Sequence, residues 1–322
     1  MDHNSRIFIV GGGAIGFSLA VHLKNAGKDV TILRASENNA EESNRKIAVE
    51  SGDGSILEQE IFCKPLSSQG RIEGIVILAT KAIANDDLAE KLLSSAASID
   101  LLIMQNGIGV ERPFLNKGFR SLSRCVVYIT AERIAADRYT ARMIKPSPVG
   151  PVSGGGGVKS SLASVIATNG FDFYEETDID REIWKKGIIN AAFNSICPLL
   201  DVDNGIFDRD AAVLDLARKL VLECVPVANR IGIAIGSEEV IDQIVQISKR
   251  SSGQLISTLQ DIKNRRETEI RFLNSEICRV AEQLTPAISL PLTRILGELT
   301  LKKSQLAAQQ KNHGHNTDIS SN

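Results

Sequence analysis

The sequence predicts an α/β chain: an N-terminal domain on a mostly parallel sheet, followed by an all-helical C-terminal domain. Three observations predict it. A glycine-rich turn, GGGAIG at 11–16, stands between an apolar strand-like run and a helix-like run. Strand and helix patterns alternate through the first half of the chain, which argues for parallel strands joined by crossover helices. Beyond the glycines at 154–157 the apolar periodicity is helical. The 322 residues suit two domains at roughly 100–200 residues each.

Each element follows from its local pattern. RIFIV (6–10) is a short buried strand, FSLAVHLKNAG a helix ending at Gly27, and DVTIL (29–33) a second strand. Strands follow at 75–80, 101–105 and 125–130, with a helix over 86–97. KPSPVGPVSGGGG (145–157) is rich in Pro, Gly and Ser and marks the domain boundary region. Its four consecutive glycines read as a turn rather than a phosphate nest. Helices are predicted over 178–200, 208–233, 236–250 and 267–284. We therefore expect a first domain over 1–165, a helical domain over 166–305 and a disordered polar tail over 306–322.

Composition removes several function classes. The net charge is −2, which argues against a nucleic-acid partner. No apolar run reaches the length of a membrane span, and no signal-peptide core precedes RIFIV. The five cysteines are dispersed without a CxxC pair, which predicts reduced thiols in the cytoplasm and no metal site. Histidine occurs only at 3, 22, 313 and 315. His3 and the last two fall in polar termini, and His22 in the first helix is a surface or packing residue. Any proton chemistry therefore falls to Lys, Glu, Asp or Tyr. The Tyr-x-x-x-Lys pattern is excluded, because Glu132, Met143 and Asp178 follow the three tyrosines at that spacing.

Gly11, Gly13 and Gly16 fit G-x-G-x-x-G, and Gly12, Ala14 and Ile15 complete the turn. The first glycine permits the tight turn, the second lets backbone approach a pyrophosphate, and the third lets helix pack on strand. In this context the unit is Rossmann-like and binds a dinucleotide, with the helix N-terminus facing the anion. Arg34 closes the second strand, where an arginine pairs the 2′-phosphate of NADP. Glu37 is its rival, favouring NAD.

In REIWKKGIINAAFNSI (181–196), Lys186, Asn190 and Asn194 recur at spacing four and share one helical face. On an otherwise apolar helix they need partners. A keto acid would supply them, and so would a polar seam between helices. A second cluster, 257–274, holds Ser257 and Glu269. Twelve residues of straight helix span roughly 18 Å, so serving one site requires a break near 264–266.

Together these residues resemble the ketopantoate reductase (2-dehydropantoate 2-reductase) family along about residues 6–295. The resemblance rests on GGGAIG, Lys81 in LATKA, Asn106 in MQNGIG, the Trp-x-Lys helix with Asn190 and Asn194, and the S-x-L-Q-D…T-E-I run. It implies that Gly11 to Gly16, Arg34, Lys81, Asn106 and Ala131 hold NADP. It implies Lys186 as proton donor with Glu269 beside it. It implies that Asn106, Asn190, Asn194, Asn204 of the NGI turn and Ser257 bind the keto acid. The implied reaction is NADPH-dependent reduction of 2-dehydropantoate to pantoate, in pantothenate and coenzyme A biosynthesis. The active site would lie between the domains, and the helical domain could form a homodimer. Gln254, Ser275 and Pro291-Leu292-Thr293 depart from the family pattern and bear on substrate identity. The rival readings are a reductase of another 2-oxo acid or imine, and a non-catalytic NADP-binding sensor.

Overall fold

The computed structural model describes residues 6–35, 41–152 and 161–314. They group into two units, one of residues up to Asn106 and Val110–Asp180, the other of Gly107–Gly109 and Arg181 onward. The division falls at 180/181 because the strand Phe173–Glu175, beyond the proline-rich stretch, still pairs into the first unit's sheet.

The first unit runs β1 (Ile7–Val10), α1 (Ala14–Asn25), β2 (Val30–Arg34), β3 (Ser43–Ser51), β4 (Ile56–Pro65), β5 (Gly74–Leu78), α2 (Asn85–Leu92), β6 (Ile99–Ile103), β7 (Ser121–Cys125), β8 (Ile129–Ala135), β9 (Arg138–Met143), β10 (Ser147–Pro151), α3 (Ala163–Ile166) and β11 (Phe173–Glu175). The strands form one sheet in the order β11-β10-β7-β6-β5-β1-β2-β4-β3-β9-β8. From β7 to β4 every neighbouring pair is parallel. β1, β2, β5 and β6 are near-continuous apolar runs, interrupted by Thr31 and Asp100, because such strands are covered on both faces. α1 packs on β2 and β4 and also on β3, β8 and β9, so Gly16 through Leu23 are buried all round.

Five strands, β3, β4, β9, β10 and β11, were not expected. β3 and β4 form a hairpin whose inward residues Ile47, Val49 and Ile61 have apolar neighbours in Ala48 and Phe62, which blurs the period-2 signal. β9, β10 and β11 are shorter, at 6, 5 and 3 residues. The single strand expected over 125–130 is two. Cys125 pairs with Val149 of β10, whereas Ile129 pairs with Met143 of β9. Between them the Tyr128 N–H turns to Ser147 Oγ at 2.9 Å, where the chain changes partner.

The second unit holds α4 (Ile179–Leu200), α5 (Ile206–Arg209), α6 (Ala211–Arg230), α7 (Ser237–Arg250), α8 (Ser257–Lys263), α9 (Asn274–Gln283) and α10 (Pro291–Gly314). The 208–233 helix divides because Asp210 caps α6, accepting from the N–H groups of Ala212 and Val213. The 267–284 helix begins only at Asn274, after a 3-10 turn over Ile270–Phe272. α10 continues through 306–314, which corrects the expectation of a wholly disordered tail. Leu306, Ala307, Ala308 and the glutamines there are strong helix formers. Thr293, a departure from the family pattern, donates its N–H to Glu223 at 2.8 Å, and Leu292 N–H does so at 3.0 Å. That carboxylate caps α10.

Candidate active site

In the first unit the sequence-predicted residues gather at the carboxyl ends of adjacent strands. Gly11 follows β1, Arg34 ends β2, Lys81 follows β5 and Asn106 follows β6. β1 lies between β2 and β5, the point where the chain winds outward in both directions and ligands bind in such sheets. β5 and β6 pair with Leu78 opposite Ile103. Lys81 and Asn106 each lie three residues beyond that pair.

The glycines divide by role. Gly11 has a φ of +119°, and a Cβ there would lie 2.8 Å from Thr80 N. At Gly16 a Cβ would lie 2.0 Å from the Gly11 carbonyl oxygen, whereas at Gly13 it would meet nothing within 4 Å. Gly11 and Gly16 thus let the turn close, and Gly13 leaves the space before α1 open. Gly13 is the N-cap of α1 without a side-chain cap, and no acidic residue occupies the first turn. The N–H groups of Ala14, Ile15 and Gly16 begin the helix, so its positive end suits an anion. These features fit the pyrophosphate of a dinucleotide.

Arg34 donates to the backbone carbonyl of Glu41. Glu37 and Gly154 to Gly157 lie outside the described residues. Ala131 is half-buried on β8, the last strand of the sheet and not part of that carboxyl edge, although β8 packs on α1.

In the second unit α4 carries Lys186, Asn190 and Asn194 one turn apart. Of the two adjacent lysines, Lys185 is buried and paired to Glu182 at 2.5 Å and to Glu239 at 3.4 Å. It is committed to the helix packing. Asn194 is buried, and both its side-chain polar atoms are bonded. Its Nδ2 donates to the Asn190 carbonyl at 3.0 Å, and its Oδ1 accepts from Thr258 Oγ1 at 2.7 Å and from Thr258 N and Ser257 Oγ at 3.3 Å. Asn194 thus ties α4 to the start of α8. Thr258, which sequence reasoning passed over, supplies the shortest of these bonds; its only sequence signal is adjacency to Ser257.

Asn204 is clamped through its backbone. Its N–H donates to the Gln254 carbonyl at 2.9 Å, and its carbonyl accepts from Ser248 Oγ at 2.7 Å. Its side-chain Oδ1 is buried without a partner among the described residues, a group that a ligand hydroxyl would satisfy. Beside it, hydrogen bonds from Arg209 hold the Asp203 carboxyl down at about 2.

α8 ends at Lys263 and Arg265 has a φ of +54°, the break expected near 264–266. Glu269 opens the 3-10 turn that follows. The Ile108 N–H donates to the carbonyl of Phe272 in that turn at 2.8 Å. The end of the Ile108 side chain lies where a Cβ on Gly187 would come within 2.6 Å. The turn of Glu269 and the helix of Lys186 therefore meet on one residue. Burial pushes the thiols of Cys197 and Cys224 up to about 12 and that of Cys278 to about 11.

A dinucleotide-type sheet joined to a helical unit with a lysine and asparagines on one face defines a class of oxidoreductase acting on CH–OH groups. The chain belongs to the ketopantoate reductase family: the PanE/ApbA model matches residues 7–153 and its C-terminal model residues 178–303. It is 26% identical over 322 residues to a 2-dehydropantoate 2-reductase of Pyrococcus horikoshii, covering 95% of this chain and 100% of that one. Among solved structures it resembles D-mandelate dehydrogenase with NADH and anilino(oxo)acetate, at a TM-score of 0.80 and 22% identity, covering 94% and 99% of the two chains. A dimeric ketopantoate reductase from Staphylococcus aureus matches at a TM-score of 0.75 and 19% identity, over 94% and 99%. Among the described residues no helix is long and apolar enough to cross a membrane.

Proposed function

We propose that the chain reduces 2-dehydropantoate to pantoate with NADPH, in pantothenate and coenzyme A biosynthesis. The observation that carries this reading is the Lys186–Asn190–Asn194 face, with Asn194 bonded to Ser257 and Thr258, in a chain whose two halves both match the family. Gly11 to Gly16, Lys81 and Asn106 would hold the cofactor, and Arg34 would pair the 2′-phosphate that distinguishes NADP. Bound NADPH would supply the hydride.

The residues of the second unit would do the rest. Negative charge grows on the ketone oxygen during reduction, and a Lys186 ammonium directed at that oxygen stabilises it and then donates its proton. Glu269 would orient Lys186. Asn190 and Asn106 would donate to the carboxylate and carbonyl, Ser257 would turn its one hydroxyl proton from Asn194 Oδ1 to the carboxylate when substrate binds, and Asn204 Oδ1 would accept from the substrate hydroxyl. Asn194 would tie α4 to Thr258 through its Oδ1 and offer its second amide N–H to the substrate. Ala131 would contribute backbone to the cofactor site. We place the enzyme in the cytoplasm, where its five buried cysteines would stay reduced, and the dimeric relative supports a homodimer.

The test follows NADPH absorbance with ketopantoate, 2-oxoisovalerate, pyruvate and phenylglyoxylate, with NADH in parallel. Turnover confined to ketopantoate and NADPH is expected. Preference for phenylglyoxylate or NADH would overturn the substrate or cofactor. Lys186→Ala should lower turnover by about a hundredfold or more while NADPH still binds; a near-normal rate would remove Lys186 as donor.

A further inference from the structure

The loops that carry Lys81 and Asn106 rest on a buried polar network that none of the motifs predicts. Asn85, Gln105 and Arg124 are 2%, 5% and 2% exposed. The amides of Asn85 and Gln105 face each other. Asn85 Nδ2 donates to Gln105 Oε1 at 2.7 Å, and Gln105 Nε2 donates to Asn85 Oδ1 at 2.8 Å. The second donor of each reaches outward, from Gln105 to Thr80 Oγ1 at 3.0 Å and from Asn85 to the Val110 carbonyl at 2.7 Å. All four amide protons are used, so each side chain has a single low-energy setting.

The network reaches the loops that follow β5 and β6. Thr80 precedes Lys81, and its backbone N is the atom a Cβ on Gly11 would strike. Gln105 precedes Asn106. Arg124 Nη2 donates to the Gln105 carbonyl at 3.1 Å, and its Nη1 pairs with Glu111. The loop from 105 to 111 is thus held at its start by Arg124 and at its end by Asn85 and Arg124. A buried arginine and a buried amide pair contribute less to stability than apolar residues of the same volume, which points to a positional role.

We propose that Asn85 and Gln105, braced by Arg124, are positioning residues that set Lys81 and Asn106 at a common level on the carboxyl edge of the sheet. This rests on the reading that Lys81 and Asn106 serve cofactor and keto acid. A shift of the loop by about 1 Å is enough to lose up to two orders of magnitude in rate.

Because Arg124 variants would leave Glu111 without its ion-pair partner and endanger folding, the test uses the double variant Asn85→Leu/Gln105→Met, which removes both amides at nearly constant volume. Thr80→Val, isosteric and milder, is the second variant. Kd for NADPH and for NADH is read by fluorescence titration, kcat and KM with ketopantoate, and melting temperature alongside. We expect a folded double variant with Kd and kcat/KM each worse by about tenfold or more, and Thr80→Val in the same direction. In Lys81→Ala and Asn106→Ala backgrounds the same pair should lose far less, because its effect passes through those residues. Unchanged Kd and kcat/KM in folded Asn85→Leu/Gln105→Met, or an equal loss in both backgrounds, would overturn the proposal. If the double variant does not fold, unchanged values in Thr80→Val overturn it. A wild-type chain that binds dinucleotide without reducing ketopantoate defeats the proposed reaction alone, and the Kd comparison with Lys81→Ala still decides the positioning.

Discussion

Lys185 and Lys186 are neighbours in sequence and differ entirely in use. Lys185 is buried against Glu182 and Glu239, and Arg181 also binds Glu239, at 2.7 Å. Those ion pairs anchor the start of α4 and leave its next residue to face elsewhere, since successive helical positions diverge by about 100°. His22 shows the same dependence on surroundings. It is 4% exposed, its ring lies 4.2 Å from that of Phe171, and burial lowers its pKa from 6.5. It is a packing residue. Above pH 6.5 both folded and unfolded forms are neutral, and the stability is fully present. As pH falls below 6.5 the unfolded chain takes up a proton that the folded chain refuses, so stability is lost. Thermal unfolding between pH 7 and about pH 5 should fall more steeply for the wild type than for His22→Gln. Parallel curves would show that His22 titrates alike in both states.

The turn into α1 makes the sharpest contrast among the elements. A Cβ at Gly16 would strike the Gly11 carbonyl at 2.0 Å, and one at Gly13 would meet nothing. Gly13 also has an extended backbone, φ −83° and ψ −176°, open to any residue. Gly16→Ala should therefore lower the melting temperature markedly. Gly13→Ala should leave it unchanged and weaken NADPH binding by about tenfold or more, because the methyl occupies the approach to the pyrophosphate. Calorimetry and a binding titration on both variants separate the two roles. Equal melting loss in both, or normal binding by Gly13→Ala, would defeat this assignment.

Across the whole molecule, residues 107–109 group with the second unit, although the chain on both sides belongs to the first. Gly107 and Gly109 have φ of +110° and +72°, which lets Ile108 enter between the turn of Phe272 and Gly187. Ile108 is 3% exposed. Ile108→Ala should destabilise by about 2–5 kcal/mol in urea unfolding, a loss out of proportion to a loop residue. A change of a few tenths would mean that the segment contributes no packing to the second unit.

What was legible in the sequence is what local chemistry dictates. The β1–turn–α1–β2 unit follows from an apolar run, three spaced glycines and a helical period. The shared face of Lys186, Asn190 and Asn194 follows from spacing four, and the break after Lys263 from the distance between Ser257 and Glu269. The hairpin of β3 and β4 was not legible, because apolar neighbours blur the period of its inward residues. Nor were the partners that give the site its form. Thr258 meets Asn194 from 64 residues away, Gln105 meets Asn85 from 20, and Ile108 meets Phe272 across more than half the chain. Periodicity reports which face a residue occupies. Which polar atom it meets there depends on bringing remote segments together, and that is settled by the packing of the folded chain.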